Sequence, residues 1–425
     1  MTAVCVNRGS ALGGTTSKKC QMGSAPRPAA GGPPRPLTPL QQLNLALCEE
    51  TMLREVAVGR RLGLYKVRGE IGRGSFSRVK LGLHALTADK VAIKVLDKTR
   101  LDQHTLRLLS QEVDSMERLH HPNVIRLYEV LETPSRLHLV MEYASGGDLF
   151  TKISTAGKLS DSNSKIVFRQ ILSAVNHMHE KDIIHRDLKA ENVFYTCGGC
   201  VKVGDFGFSA VCGRDQTLST FCGSAPYAAP ELFQEQGYEG RPVDVWALGV
   251  LLFFITTAAM PFRAHTVPLL KQCILGGAYA VPPGVPAPCQ RLIRAILRPN
   301  PAHRPTPDQM SGCEWLLSVT SPRPIRPFRL NPQFLAQPGE LDEVELEVQA
   351  ALEDLGITAQ HIRNNRQPSQ QSNLTGVYRI LLHHAHKRRD LEAPPTILLP
   401  VTNPRQDWIC AYRHLYHTSQ LCTIT

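Results

Sequence analysis

His185-Arg186-Asp187-Leu188-Lys189-Ala190-Glu191-Asn192, followed by Asp205-Phe206-Gly207, decides how the chain is read. Transfer of a γ-phosphoryl group passes through a loose, charge-rich transition state, so a protein contributes mainly positioning, charge neutralisation and a base. This stretch supplies a group for each task, in usable order. Asp187 would accept the proton of an attacking hydroxyl, Lys189 would reach the transferring phosphate as a point charge, and Asn192 with Asp205 would hold Mg²⁺. ATP and Mg²⁺ are therefore the expected cofactors, and Asp187, Lys189 and Asn192 the expected catalytic residues.

Upstream, Ile71, Gly72, Arg73, Gly74, Ser75, Phe76, Ser77, Arg78 and Val79 form a glycine-bearing loop between two stretches, 67–70 and 79–83, that read as strands. A Cβ at Gly72 or Gly74 would restrict the backbone and keep it from closing over phosphates. No helix-opening pattern follows the glycines, which argues against a dinucleotide-binding fold. Val91-Ala92-Ile93-Lys94 comes next, then Glu112 on a helical pattern. Lys94 would contact the α and β phosphates and pair with Glu112; Ala92 and a hinge at Glu142, Tyr143 and Ala144 complete the nucleotide-binding set. Taken singly, Lys94 or Glu112 would be an ordinary solvated charge. Their order together with 185–192 and 205–207 gives them the catalytic reading.

The chain has 425 residues and 42% hydrophobic content, room for one large catalytic unit and a smaller module. The longest apolar run, Val245 to Met260, is shorter than a membrane-spanning helix needs and reads as a buried core helix. No basic segment followed by an apolar run opens the sequence, so no secretory signal is expected. Twelve scattered cysteines fit reduced thiols and a cytoplasmic or nuclear location. Cys197-Gly198-Gly199-Cys200 has no second Cys or His pair and reads as a hairpin turn rather than a zinc site. Net charge is +11, but basic and aromatic residues do not interleave, so nucleic acid is not an expected partner. The basic cluster His383 to Arg389 reads as a solvated helix end.

Residues 1–37 are rich in Gly, Pro and Ser and read as a disordered tail. Thr38, Pro39 and Gln41 form an N-cap, first-turn proline and capping-box partner, starting a leading helix and linker at 38–64. Strands interrupted by one helix fill 65–141, and helices dominate from Leu149 to Leu316. A linker spans 318–341. In 342–389 an amphipathic stretch presents Val344, Val348, Leu352 and Leu355 on one face and ends at Gly356; Thr358 can cap a second helix, and a third begins near Leu374. Residues 390–425 form a tail. Its Cys422-Thr423-Ile424-Thr425 is a poor prenylation signal, since Thr423 is not aliphatic, and membrane attachment is not expected.

Residues 65–317 resemble the eukaryotic protein kinase family in every signature block. The resemblance implies an α+β, bilobal fold with a β-rich small lobe and a helical large lobe. It also implies that Glu231 of Ala229-Pro230-Glu231 pairs with Arg304, and that Met116, Leu127, His185 and Phe206 stack as an apolar column. Lys189 is the habit of Ser/Thr kinases. Leu218-Ser219-Thr220-Phe221-Cys222-Gly223-Ser224 and Tyr227-Ala228-Ala229-Pro230-Glu231 look like the relatives of AMP-activated protein kinase. That likeness makes Thr220 the target of an upstream activating kinase, with Arg186 placed to pair with its phosphate. Asp148 and Glu191 match positions that recognise basic residues near the Ser or Thr of protein substrates. Three departures stand out: Ser77 for the third glycine, Ala225 for a proline, and Ala258 for a glycine. The helices of 342–389 are similar to the ubiquitin-associated-like module of this kinase group. Leu355-Gly356-Ile357 lacks an aromatic at the third place, which favours an intramolecular regulatory role over ubiquitin capture. The alternative to an active enzyme is a regulated scaffold whose ATP site is a conformational switch.

Overall fold

The computed structural model describes residues 36–47, 54–56, 58–74, 77–100, 102–196, 198–214, 216–234, 237–322, 325, 335, 341–364, 373–389 and 393–398. Of the expected tails at 1–37 and 390–425, residues 1–35, 390–392 and 399–425, with Cys422, lie outside them, as do the loop residues Ser75 and Phe76 and also Cys197. Along the chain come α1 (Pro39–Leu47), α2 (54–56), β1 (Arg61–Leu62), β2 (Tyr65–Arg73), β3 (Ser77–His84), β4 (Lys90–Asp97) and α3 (Gln103–Arg118). β5 (Leu127–Glu132), β6 (Arg136–Glu142), α4 (Leu149–Ala156), α5 (Asp161–Glu180), β7 (Ile183–Ile184), β8 (Val193–Tyr195), β9 (Val201–Val203) and β10 (Ala210–Val211) follow. Then come α6 (Gly240–Thr257), α7 (Val267–Gly276), α8 (Ala287–Ile296), α9 (Pro307–Ser311), α10 (Glu343–Asp354), α11 (Ala359–Asn364) and α12 (Asn373–Arg388). They divide into two compact units.

The first unit is drawn from three chain segments, Met1–Leu101, Leu127–Tyr143 and Phe328–Arg389. Its centre is an antiparallel six-stranded sheet in the order β1-β2-β3-β4-β6-β5. Lys-Val-Ala-Ile-Lys-Val-Leu-Asp of β4 is rich in β-branched residues, as a central strand should be, and pairs in register with both β3 and β6. The α1 helix starts as a capping box: Gln41 N–H donates to Thr38 Oγ1 and Thr38 N–H donates to Gln41 Oε1. Asp342 and Glu345 form the same device at α10, and Gly356, at φ +85°, ends that helical segment.

The α12 helix is buried on two sides. Val377, Tyr378, Leu381, Leu382 and Ala385 join Val348 and Leu352 of α10, Ile357 and Ile362 in one cluster. Ile380 instead enters the sheet cluster of Tyr65, Val91, Ile93, Tyr128 and Val140. This corrects the solvated reading of 383–389. His383 and His386 are buried, and only Lys387, Arg388 and Arg389 are exposed. Tyr128 Oη and His383 Nδ1 share a 2.5 Å hydrogen bond, giving the imidazole a partner that its neighbours in sequence do not reveal.

The second unit takes Asp102–Arg126, Ala144–Pro327 and Asp390–Thr425. Its axis is α6, whose Trp246, Leu248, Gly249, Val250, Leu251, Leu252 and Ile255 are almost completely inaccessible. The helix has the length and apolarity to cross a membrane, yet 83% of that window lies inside the protein, which marks it as a core helix. Two two-stranded sheets, β7 with β10 and β8 with β9, lie in the same unit and frame the 185–205 segment. Gly198 and Gly199 turn the chain between β8 and β9.

Candidate active site

Asp244 of α6 sets the backbone on which the site is built. Its Oδ2 accepts from His185 N–H at 2.9 Å and from His179 Nε2 at 3.0 Å, while Oδ1 accepts from Arg186 N–H at 2.9 Å. These bonds fix a tight loop in which Arg186 adopts φ +64°, a conformation that a non-glycine residue holds only when its surroundings impose it. Asp187 N–H then donates to His185 Nδ1 at 3.3 Å, so the imidazole carries its proton on Nε2, which donates to Gly204 O at 3.1 Å.

The Asp187 carboxylate emerges almost enclosed, its side chain 3% exposed. Lys189 Nζ donates to Oδ2 at 2.6 Å and to Ser224 Oγ at 2.9 Å, and Ser224 Oγ donates to Asp187 Oδ1 at 2.8 Å. Asn192 Nδ2 donates to Asp187 O at 2.9 Å and to Oδ2 at 3.3 Å, which leaves Asn192 Oδ1 as a ligand oxygen. Gly204 N–H donates to Asn192 O at 2.9 Å, tying the strand before Asp205 to the same loop. Asp205 is left-handed at φ +58°. An amide oxygen and a carboxylate are hard donors of the kind Mg²⁺ takes, so the two residues fit that ion.

Ser224 and Tyr227 carry roles that no motif spacing assigned. Tyr227 Oη accepts from Ala190 N–H at 3.2 Å and so braces the loop between Lys189 and Asn192. Burial pushes its phenol well above the usual range and raises the thiol of Cys222 too, so both stay neutral beside the carboxylate. The Cys-Gly-Ser-Ala-Pro-Tyr stretch was a visible signal, but its side-chain partners lie more than 30 residues away.

In the same unit Glu231 and Arg304 form a buried two-pronged pair at 2.6 and 2.7 Å. Met116, His185 and Phe206 are buried, with the His185 and Phe206 rings 5.1 Å apart. Glu112 is 3% exposed. Thr220 is exposed, its carbonyl accepting from Tyr238 Oη at 2.8 Å. Arg186 is 9% exposed and its Nε donates to Phe208 O at 2.6 Å. Asp148 caps α4, accepting from Thr151 N–H at 2.7 Å and Thr151 Oγ1 at 2.8 Å, whereas Glu191 is exposed.

The first unit carries the expected nucleotide residues. Gly74 N–H donates to Ser77 O at 2.9 Å, closing the loop, and a Cβ on Gly74 would stand 2.9 Å from Ser77 Oγ. A side chain at Gly74 would have to displace the Ser77 hydroxyl, and its absence leaves backbone open to the approach of phosphate oxygens. Ile71, Arg73 and Arg78 are exposed; Gly72, Ser77 and Val79 are half-buried. Lys94 lies opposite Val79 on β3 and Leu139 on β6, and Ala92 opposite Met141. Glu142 ends β6 with its side chain 3% exposed and 3.6 Å from His383 Nε2, so its carboxylate faces α12. Ala144 is half-buried at the start of the second unit.

The protein kinase domain family matches residues 65–316, more than half of the chain and the span that holds every residue of this site.

Proposed function

Because the chain belongs to the protein kinase family, and so carries a domain for ATP-dependent phosphotransfer to proteins, we propose that its acceptors are Ser and Thr hydroxyls and that phosphorylation of Thr220 by an upstream kinase raises its activity. The single observation that carries the reading is the closed triangle of Asp187, Lys189 and Ser224. A carboxylate so enclosed has one oxygen held by an ammonium and the other by an exchangeable hydroxyl, where an incoming alcohol can take that hydroxyl's place.

Asp187 accepts the proton of that alcohol, and Lys189 places positive charge beside the oxygens that gain negative charge in transfer. Asn192, held by Asp187 O, and Asp205 would hold Mg²⁺, with Lys94 on the nucleotide phosphates. Mg-ATP, when bound, supplies the phosphoryl group with its charge already partly neutralised. Arg186 would meet the Thr220 phosphate, exchanging its carbonyl partner for a charged one. We place the chain among the relatives of AMP-activated protein kinase, on the sequence of 218–231. We assign 342–389 a ubiquitin-associated-like regulatory role directed at its own catalytic domain; the packing of α12 against β5 and β6 supports it. Substrates with Arg or Lys near the acceptor are expected from Asp148 and Glu191, although the capping bonds of Asp148 reduce its availability.

The test is transfer of labelled phosphate from Mg-ATP to basic Ser- and Thr-containing peptides. Asp187→Ala should lower the rate by about 10²- to 10⁴-fold with nucleotide still bound, and Thr220→Ala should not respond to an activating kinase. Binding of Mg-ATP without transfer under any treatment would replace this reading with that of a nucleotide-switched scaffold.

A further inference from the structure

We propose that the first unit holds a second ligand site, a pocket for a small amphipathic anion: a phosphate, sulfonate or carboxylate on an aromatic or aliphatic body. The pocket has a volume of about 490 Å³ and is lined by residues of α2, the β1 turn, β2, β3, β4, β5 and β6, a size ordinary for small-molecule sites. Its floor is apolar. Val67, Val95 and Leu131 are only partly buried and flank the sheet cluster that Ile380 of α12 seals further along. One sheet face is thus half covered by the chain's own helix and half open.

The wall is cationic. Arg61 is 7% exposed, yet its Nε and Nη1 are enclosed with no hydrogen-bond acceptor among the described residues. Among the described residues Arg61 pairs with Glu55, 3.7 Å from Nε and shared with Lys66 at 3.4 Å. Two guanidinium nitrogens withdrawn from water with only a distant, shared carboxylate are costly, and a bound anion that accepts from them offsets that cost. Lys80 and Arg136 line the same pocket, and neither makes a side-chain ion pair among the described residues. The pocket's own carboxylate, Glu132, is taken by Lys98. His138 donates through Nδ1 to Leu131 O at 3.2 Å, which leaves Nε2 as an acceptor for a ligand hydroxyl. Burial, then Arg136 and Lys80, hold His138 below its ordinary value, so the excess positive charge belongs to Arg61, Lys80 and Arg136. Charge without an apolar body would leave the floor wet; an apolar body without charge would leave Arg61 Nε and Nη1 without an acceptor.

The experiment is calorimetric titration of the full chain with 1-naphthyl phosphate, after saturation with Mg²⁺ and a non-hydrolysable ATP analogue. Inorganic phosphate and 1-naphthol are titrated alongside. We expect one binding site, at least tenfold weaker binding of each half-ligand, and at least tenfold loss of 1-naphthyl phosphate affinity in Arg61→Met and in Lys80→Glu. Arg263→Glu, an equal charge change on an exposed residue of the second unit, should bind as wild type does. Should Arg61→Met lower the thermal midpoint, Lys80→Glu, at a half-buried strand position, decides alone. Absence of binding, phosphate binding as tightly as its naphthyl ester, or wild-type affinity in a folded Lys80→Glu would overturn the proposal.

Discussion

Ala258 closes α6 at φ +55° and ψ 28°, in the left-handed region where a Cβ meets the neighbouring carbonyl. The sequence flagged this alanine only as a missing glycine, and the backbone angle supplies the reason a glycine would suit. Replacing it with Gly should relieve about 1 kcal/mol, raising the melting temperature by roughly 2–4 °C in differential scanning calorimetry. Arg304 presents the opposite case. It donates to both oxygens of Glu231, to three carbonyls (Arg298, Pro242 and Pro299), and stacks 4.9 Å over Trp246. Arg304→Met strands the buried Glu231 carboxylate and should cost about 3–5 kcal/mol in urea unfolding. Lys at the same place should restore little, because one ammonium cannot reproduce the fork. Residues such as Asp187, Asn192 and Arg304 were legible because their partners recur at fixed motif positions. Ser224 and His383 were not: a serine in a loop and a histidine in a basic run look alike whether buried or bare until the distant partner is known.

At the scale of elements, the α12–β5 seam is the least legible part of the fold and the most testable. Helical periodicity and the caps at Thr38, Asp342 and Gly356 mark where helices begin and end, because those signals lie within four residues of each other. The face to which α12 docks is set by Tyr65, Glu129 and Tyr128, which no local pattern connects to it. Gly376 allows the close approach: a Cβ there would collide with Glu129 Oε2 and stand 2.5 Å from Tyr65 Oη. Gly→Ala within a helix gains about 1 kcal/mol of propensity, but overpacking a buried contact costs about 1–3 kcal/mol. Since Tyr65 Oη already donates to Glu129 at 2.7 Å, neither can retreat cheaply. Gly376→Ala should therefore be net destabilising, by about 1–2 kcal/mol, and should speed amide exchange in 373–388. Burial pushes the Glu129 carboxyl up to about 8, against the opposing effects of the Tyr65 hydroxyl and Arg379. The folded state thus holds a proton that the unfolded chain releases near the ordinary carboxylate value. The associated stability is complete at pH 4 and is lost as pH rises through about 8. Unfolding midpoints should fall from pH 5 to pH 9, and Glu129→Gln should flatten that part of the profile.

At the scale of the molecule, the first unit depends on residues from the far end of the sequence. Deleting 343–389 removes Ile380 from the sheet cluster and Val377, Tyr378, Leu381 and Leu382 from the neighbouring one. Burying each such side chain is worth about 1.5–3 kcal/mol, so the shortened protein should lose cooperative unfolding of its six-stranded sheet, read by circular dichroism. This dependence on 343–389 is not visible in a sequence, since the motifs of 65–316 read as self-sufficient. It also gives the protein a problem of timing during its synthesis. Tyr128 is separated from His383 by 255 residues, which a ribosome adding about 5–20 residues per second takes roughly 13–50 s to supply. Throughout that interval the nascent sheet offers Tyr65, Tyr128 and Val140 to whatever reaches them first, so a chaperone or trigger-type holdase that covers apolar strands is in competition with aggregation until α12 leaves the exit tunnel.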